Sequence, residues 1–266
     1  MPITYKSKDE IAVLREGGLK LGAILERLER GVASGQIKTT GEIDVLAEKW
    51  ILEAGGRPAF KGYGSPNASF PCAICVSVNN EVVHGVPSHE HHLKTGDVVG
   101  LDIGMIYPAK GRGLYTDTAL TVIVGRGSKK SSELVDATRE SLYRAIAVAE
   151  PGAKISDIGA TVQEYIKPFG FGIVRQYVGH GVGYEVHEEP KVPNYVDPKS
   201  PVVEMKPGLV IAIEPMITSG GSKVFIDKDG WTVKTEDGSL AAHFEHTIAI
   251  TEKGAEVLTR RPSETI

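Results

Sequence analysis

The chain has 266 residues, 41% hydrophobic and 24% charged, the balance of a globular protein with a substantial core. Its formal net charge of −4, with no basic stretch, argues against a nucleic-acid backbone as the main partner. No apolar run reaches membrane-spanning length, the start lacks a signal-peptide core, and two cysteines make no disulfide framework, so a reducing cytoplasm is the expected location.

Ser7-Lys-Asp-Glu10 reads as a capping box, and the spacing of Ile11, Leu14, Gly18, Leu21 and Leu25 predicts a helix over about 7–30. Thr39-Thr-Gly-Glu42 repeats the device and opens a second helix that stops at Gly55-Gly56. Strand composition follows in CAICVSVN, DVVGLDIGMIY and YTDTALTVIV. A third helix is expected over about 131–149, ending before Pro151-Gly152. Ser156 is read as the cap of a fourth, which ends at Pro168-Phe-Gly170. Strands return in GLVIAIEPMI and AAHFEHTIAIT. The order is a helix pair and then strands, twice over, with halves at about 1–127 and 128–266. Identity between the halves is slight, and without a linker a single α+β domain over 1–266 is expected.

Cys72 and Cys75 form a C-x-x-C that runs into a strand rather than a helix and has no second pair of soft ligands nearby. Neither a redox pair nor a structural zinc site is the favoured reading.

The acids are the informative feature. Asp102, Asp117, Glu214 and Glu245 each interrupt an apolar, β-branched run that contains no Lys or Arg. Burying one ionised carboxylate without a partner costs several kcal/mol, so four such positions call for compensation. Two divalent cations would balance the four negative charges. Gly100 and Gly104 alternate onto the strand face of Asp102 and leave room beside it. His180 and His187 lie in the glycine-rich GHGVGYEVHEEP, and His84 ends the strand of NNEVVHGVP, so all three are candidate site residues. His89-Glu-His-His92 is read as a solvated loop. His246, next to Glu245, belongs to the opposite strand face, and Glu188 and Glu189 are read as loop-positioning residues rather than ligands.

Taken in order, Asp102, Asp117, His180, Glu214 and Glu245 resemble the five metal ligands of methionine aminopeptidases and their pita-bread relatives. NNEVVHGVP, GHGVGYEVHEEP, IAIEPMI and DGWTVKTEDGSLAAHFEHTIAIT carry the likeness, which runs from about residue 7 to 258. It implies a pita-bread fold, with pseudo-twofold halves around a curved, mainly antiparallel sheet. It implies two divalent metal ions (Mn, Fe, Co or Zn), with Asp102 on one, His180 and Glu214 on the other, and Asp117 and Glu245 bridging. Glu214 would also accept the proton of the attacking water, and His84 and His187 would contact the substrate. Tyr63, Phe70, Cys75 and Trp231 would form a methionine pocket, while Cys72 gains no role. The implied substrates are N-terminal methionine peptides and nascent chains with a small second residue, met by a monomer; ribosome association would suit co-translational action. The extra N-terminal domain of aminopeptidase P and prolidase relatives has no room here. Nor is there a type II helical insertion or a zinc-binding extension, which leaves the bacterial type I form as the expectation. The alternatives are a catalytically inactive, partner-binding relative and a hydrolase of Xaa-Pro peptides or phosphoesters. Two segments look longer than usual for the family, PAKGRG and GYGSPNASFPCAIC, and both are expected near the site mouth.

Overall fold

Both expected capping boxes form. Ser7 Oγ accepts from Glu10 N at 3.3 Å while Glu10 Oε2 accepts from Ser7 N at 2.8 Å, and Thr39 and Glu42 repeat the exchange. They start helices α1 (Lys8–Ala33) and α2 (Thr40–Glu53) in the computed structural model, which describes residues 2–65 and 68–265. Strands β1 (Ile74–Val78), β2 (Glu81–Val83), β3 (Val98–Tyr107) and β4 (Leu114–Ile123) follow. Then come α3 (Lys129–Ala147), capped by Ser128, and α4 (Ile155–Ile166). The second group of strands comprises β5 (Gly179–Gly181), β6 (Glu188–Val192), β7 (Val210–Ile213), β8 (Met216–Thr218), β9 (Val224–Ile226), β10 (Val233–Thr235), β11 (Ala241–His243), β12 (Glu245–Thr251) and β13 (Gly254–Val257).

The helix after Pro151 differs from expectation. Lys154, not Ser156, is its N-cap residue, and the backbone N–H of Lys154 donates to Asp157 Oδ2 at 2.8 Å. Asp157 reaches back three residues, which places Ser156 inside the first turn. The two long runs expected as strands are each broken in two, at Glu214-Pro215 and at Phe244. Proline has no N–H to give a ladder, and after each break the chain changes sheets.

The main sheet is antiparallel in every pairing and runs in the order β3, β4, β12, β7, β5, β6, with β1 on the outer edge of β3 and β13 on β12. This curved sheet with its two helix pairs is the α+β pita-bread architecture. Leu101, Ile103 and Met105 of β3 turn to the helix side and pack with Leu21, Leu25 and Leu28 of α1; all are fully buried. Each such side chain contributes roughly 1.5–3 kcal/mol of transfer free energy. At Gly18 and Gly22 the helix comes so close to the Leu258 and Arg260 carbonyls that any Cβ would overlap backbone. The helices thus cover one face, and the residues that alternate with this core are left to build a site on the other.

Candidate metal centre and adjoining cavity

Register assembles the acids. Asp102 pairs with Cys75 on one side and Ala119 on the other, and Ala119 pairs in turn with Glu245. One row across three antiparallel pairings therefore reads Cys75, Asp102, Ala119, Glu245, all on the face away from the helices. The small Ala119 keeps the space between the two acids open. Asp117 stands one row along on the same face, opposite Gly104. The room at Gly104 is filled by the ring of Phe60. Glu214 follows β7 at the strand break, where Asn194 Nδ2 donates to its carbonyl at 2.9 Å. His180 enters from β5; Gly179 and Gly181 let the Ala212 and Glu189 carbonyls press against that strand, where a Cβ would overlap them.

Asp117, His180 and Glu245 each place a donor atom within 4.8 Å of the others. His180 Nε2 lies 3.6 Å from Asp117 Oδ2 and 3.4 Å from Glu214 Oε1. Its Nδ1 meets the Gly181 carbonyl at 3.0 Å, which assigns the proton to Nδ1 and turns the Nε2 lone pair toward the acids. Asp102 lines the same cavity. Asp117 and Glu245 are buried, whereas Asp102 and Glu214 open partly into the cavity. Among the described residues no Lys or Arg pairs with any of the four; the ion pairs they make are to His180 and His243 alone. Burial, and after it the neighbouring carboxylates, push Asp102, Glu214 and Glu245 well above the usual carboxylate range. Burial likewise raises Asp117 to about 6, partly offset by the hydroxyl of Thr247, which donates to it at 2.9 Å. Burial holds His180 at about 4, so its imidazole is a neutral ligand at pH 7. Hard oxygen donors joined by one imidazole, short of positive charge, are what divalent cations require.

Beside the acids lies a cavity that brings together all eleven residues expected at the site: Tyr63, Phe70, Cys75, His84, Asp102, Asp117, His180, His187, Glu214, Trp231 and Glu245. Phe70 and Trp231 meet edge to face at 5.3 Å. Tyr63 stands at the mouth, and its hydroxyl lies 2.7 Å from His187 Nδ1. His187 is exposed, 4.4 Å ring to ring from His180. His84 has φ of +59°, a left-handed conformation that costs a non-glycine residue energy and that collects at functional sites; its ring stands edge-on to Tyr177. Phe60, Val83 and Val186 complete the wall and were not singled out from the sequence. Phe60 carried a faint signal, since a glycine at 104 needs something to occupy its face.

The discounted residues lie elsewhere. Cys72 is a free thiol that burial pushes up to about 12, whereas Cys75, also free, lines the cavity. His89 and His92 are exposed, and His246 faces the helix side, 3.0 Å from Thr259 Oγ1. Glu188 is buried and accepts from Lys6 Nζ at 2.7 Å, Thr4 Oγ1 at 2.5 Å, and the Tyr184 and Glu185 amides at 2.5 and 3.1 Å. Of the two longer segments, PAKGRG brings Arg112 over the Tyr184 ring, beside the loop of His187. In the other, Gly64–Ser65 pairs with Ala68–Ser69 close to Tyr63, and Pro66 and Asn67 lie outside the described residues.

A curved antiparallel sheet carrying buried acids and one imidazole defines a candidate divalent-metal site. Residues 12–252 match Metallopeptidase family M24, and the chain belongs to that family. A methionine aminopeptidase of Aquifex aeolicus is 44% identical over 264 residues, covering 97% of this chain and 99% of that protein. Methionine aminopeptidase 1 of Bacillus subtilis is also 44% identical, over 259 residues, 97% of this chain and 99% of the relative. The crystal structure of methionine aminopeptidase from Thermotoga maritima superposes with a TM-score of 0.91 at 42% identity, covering 98% of this chain and 100% of that one. The prolidase of Pyrococcus horikoshii reaches 0.74 at 26% identity, with 98% of this chain matching only 65% of the prolidase. As a member of the family, the chain is a metallopeptidase that uses divalent metal. No helix among the described residues is long and apolar enough to cross a membrane.

Proposed function

We propose that the chain is a single-domain, type I methionine aminopeptidase of the cytoplasm. It removes the first methionine from peptides and nascent chains whose second residue is small. The observation that carries this reading is the junction of the acid cluster with an apolar cavity walled by Phe60, Phe70, Cys75 and Trp231. Such a wall suits a thioether, which is apolar and polarisable.

The donor set of Asp102, Asp117, His180, Glu214 and Glu245 would hold two divalent cations, whose charge would balance the four carboxylates. Bound there, they would supply Lewis acidity to activate a water and polarise the first peptide bond. Mn, Fe, Co and Zn all suit acid-rich ligation with one imidazole. Glu214 accepts the proton of the attacking water and passes it to the leaving amine. With the Tyr63 hydroxyl donating to Nδ1, His187 carries its proton on Nε2 and offers it to the substrate carbonyl oxygen. His84, fixed by its left-handed backbone, hydrogen-bonds the scissile amide.

The test is methionine release from Met-Ala-Ser by chelator-stripped protein, with and without added Mn, Co or Fe. Release only on adding metal is expected. Folded protein that releases nothing with any metal, or that prefers Xaa-Pro dipeptides, would overturn the reading.

A further inference from the structure

Glu214 has two carboxylate oxygens, and they face different neighbours. Oε1 looks toward His180 Nε2 at 3.4 Å, and Oε2 toward His243 Nε2 at 3.7 Å. His243 is buried, with 3% of its surface exposed, and its Nε2 has no hydrogen-bond partner. An unmatched polar atom in such a place is rare in a folded protein and calls for a reason. The position is not a slack one. The backbone amide of His243 donates to Thr121 Oγ1 at 2.8 Å, the Thr121 hydroxyl donates back to the His243 carbonyl at 2.8 Å, and β11 pairs His243 with Met216, two residues beyond Glu214. The strand is tied on both sides, so the ring is held facing Glu214.

We infer that His243 is a positioning residue for Glu214: its Nε2–H orients Oε2 and leaves Oε1 turned to the side of His180, where a cation would be shared. This rests on the metallopeptidase reading above. The choice of residue type has a physical logic. An imidazole facing a carboxylate can present an N–H to it, whereas Lys or Arg in the same place would bring a full charge that competes with the cations for the acid. Asn194 grips the carbonyl of the same residue, so Glu214 is held at both backbone and side chain.

The test compares His243→Gln and His243→Leu with the parent. Gln places an amide N–H near the Nε2 position; Leu keeps comparable volume and offers no donor. Calorimetric titration of chelator-stripped protein with Mn²⁺ is the first readout, and kcat and KM on Met-Ala-Ser the second. H243L is expected to bind Mn²⁺ about 10–100-fold more weakly, the usual loss when the support of a ligand is removed. Its kcat should fall with little change in KM, and H243Q should recover most of both. Parent-like Mn²⁺ binding by H243L would overturn the inference, as would equal losses in H243L and H243Q with unchanged melting, which would mark a packing role. Should H243L fail to fold, His243→Asn replaces it. Its amide reaches only the Nδ1 position, so it should lose Mn²⁺ affinity where H243Q keeps it, and equal behaviour of the two would overturn the inference. If the parent binds Mn²⁺ but releases no methionine, the aminopeptidase reading fails while the order of Mn²⁺ affinities still decides the role of His243.

Discussion

Glu188 and Glu245 are both buried, 7% and 3% exposed, and both belong to strands of the same sheet. Glu188 is surrounded by donors: an ammonium, a hydroxyl and two backbone amides. Burial pushes its carboxyl up, but the hydrogen bonds from Lys6 and Thr4, the Lys6 charge and the Glu185 amide together outweigh it, and the group ends below the usual range. Burial also lowers the Lys6 ammonium, so desolvation costs both members of the pair. Glu245 has no such company. Burial and the carboxylates of Asp117, Glu214 and Asp102 all drive it up. The chain has compensated one acid from within and left the other for something it binds. A buried acid supplied by its own chain marks structure, and one left unsupplied marks a site.

The largest effect that follows is catalytic. Glu214→Ala should lower kcat on Met-Ala-Ser by about 10²–10⁴-fold, the range for a lost proton acceptor, in a protein that still folds. Substantial turnover by a metal-loaded, folded variant would remove that role. The next separates the two acids by stability. Glu188→Ala leaves Lys6 buried without a countercharge and should cost about 3–5 kcal/mol in urea unfolding of chelator-stripped protein. Glu245→Gln in the same assay should be neutral or stabilising, because it removes a repelled charge. Equal losses would erase the distinction drawn here. A comparable effect of opposite sign comes from the ion itself. Mn²⁺ at about 100 times its Kd should add about 2.7 kcal/mol to the parent, read as a raised melting temperature, and little to Glu245→Gln.

Acid should also weaken the Glu188 cluster. Because the folded pKa of Glu188 is depressed, its stabilisation is fully present above the unfolded value, about 4.3, and is lost as pH falls through the lower folded value. The stability gap between the parent and Glu188→Gln, measured by urea midpoints, should therefore hold from pH 7 to 5 and shrink toward pH 3. A gap that widened on acidification would contradict the sign. The smallest effect concerns Cys72. With its thiol pushed up to about 12, it should resist alkylation at pH 8 until the protein unfolds.

Much of this could be read from the chain because the signals were local. Ser7 with Glu10 and Thr39 with Glu42 are satisfied within one turn, so their helices begin where the residues say. Asp102, Asp117, Glu214 and Glu245 stand out because each violates the apolar rule of its own strand. The fourth helix was misplaced because Ser156 and Asp157 are both credible caps, and which one acts depends on where Lys154 leaves the preceding turn. The rest depended on register between distant strands. Nothing near Tyr63 announces that its hydroxyl meets His187, 124 residues away, or that Lys6 pairs with Glu188. Nothing around His243 tells that the pairing of β11 with β8 sets it near Glu214, and Phe60 enters the wall only through the missing side chain of Gly104.

The most direct test is to titrate chelator-stripped protein with Mn²⁺ and, in the same samples, follow methionine release from Met-Ala-Ser. Cations that complete the acid cluster should bind at two equivalents, and release should rise with occupancy from a metal-free baseline near zero. Full release before any metal is added, or saturation with Mn²⁺ that brings no release, would contradict it.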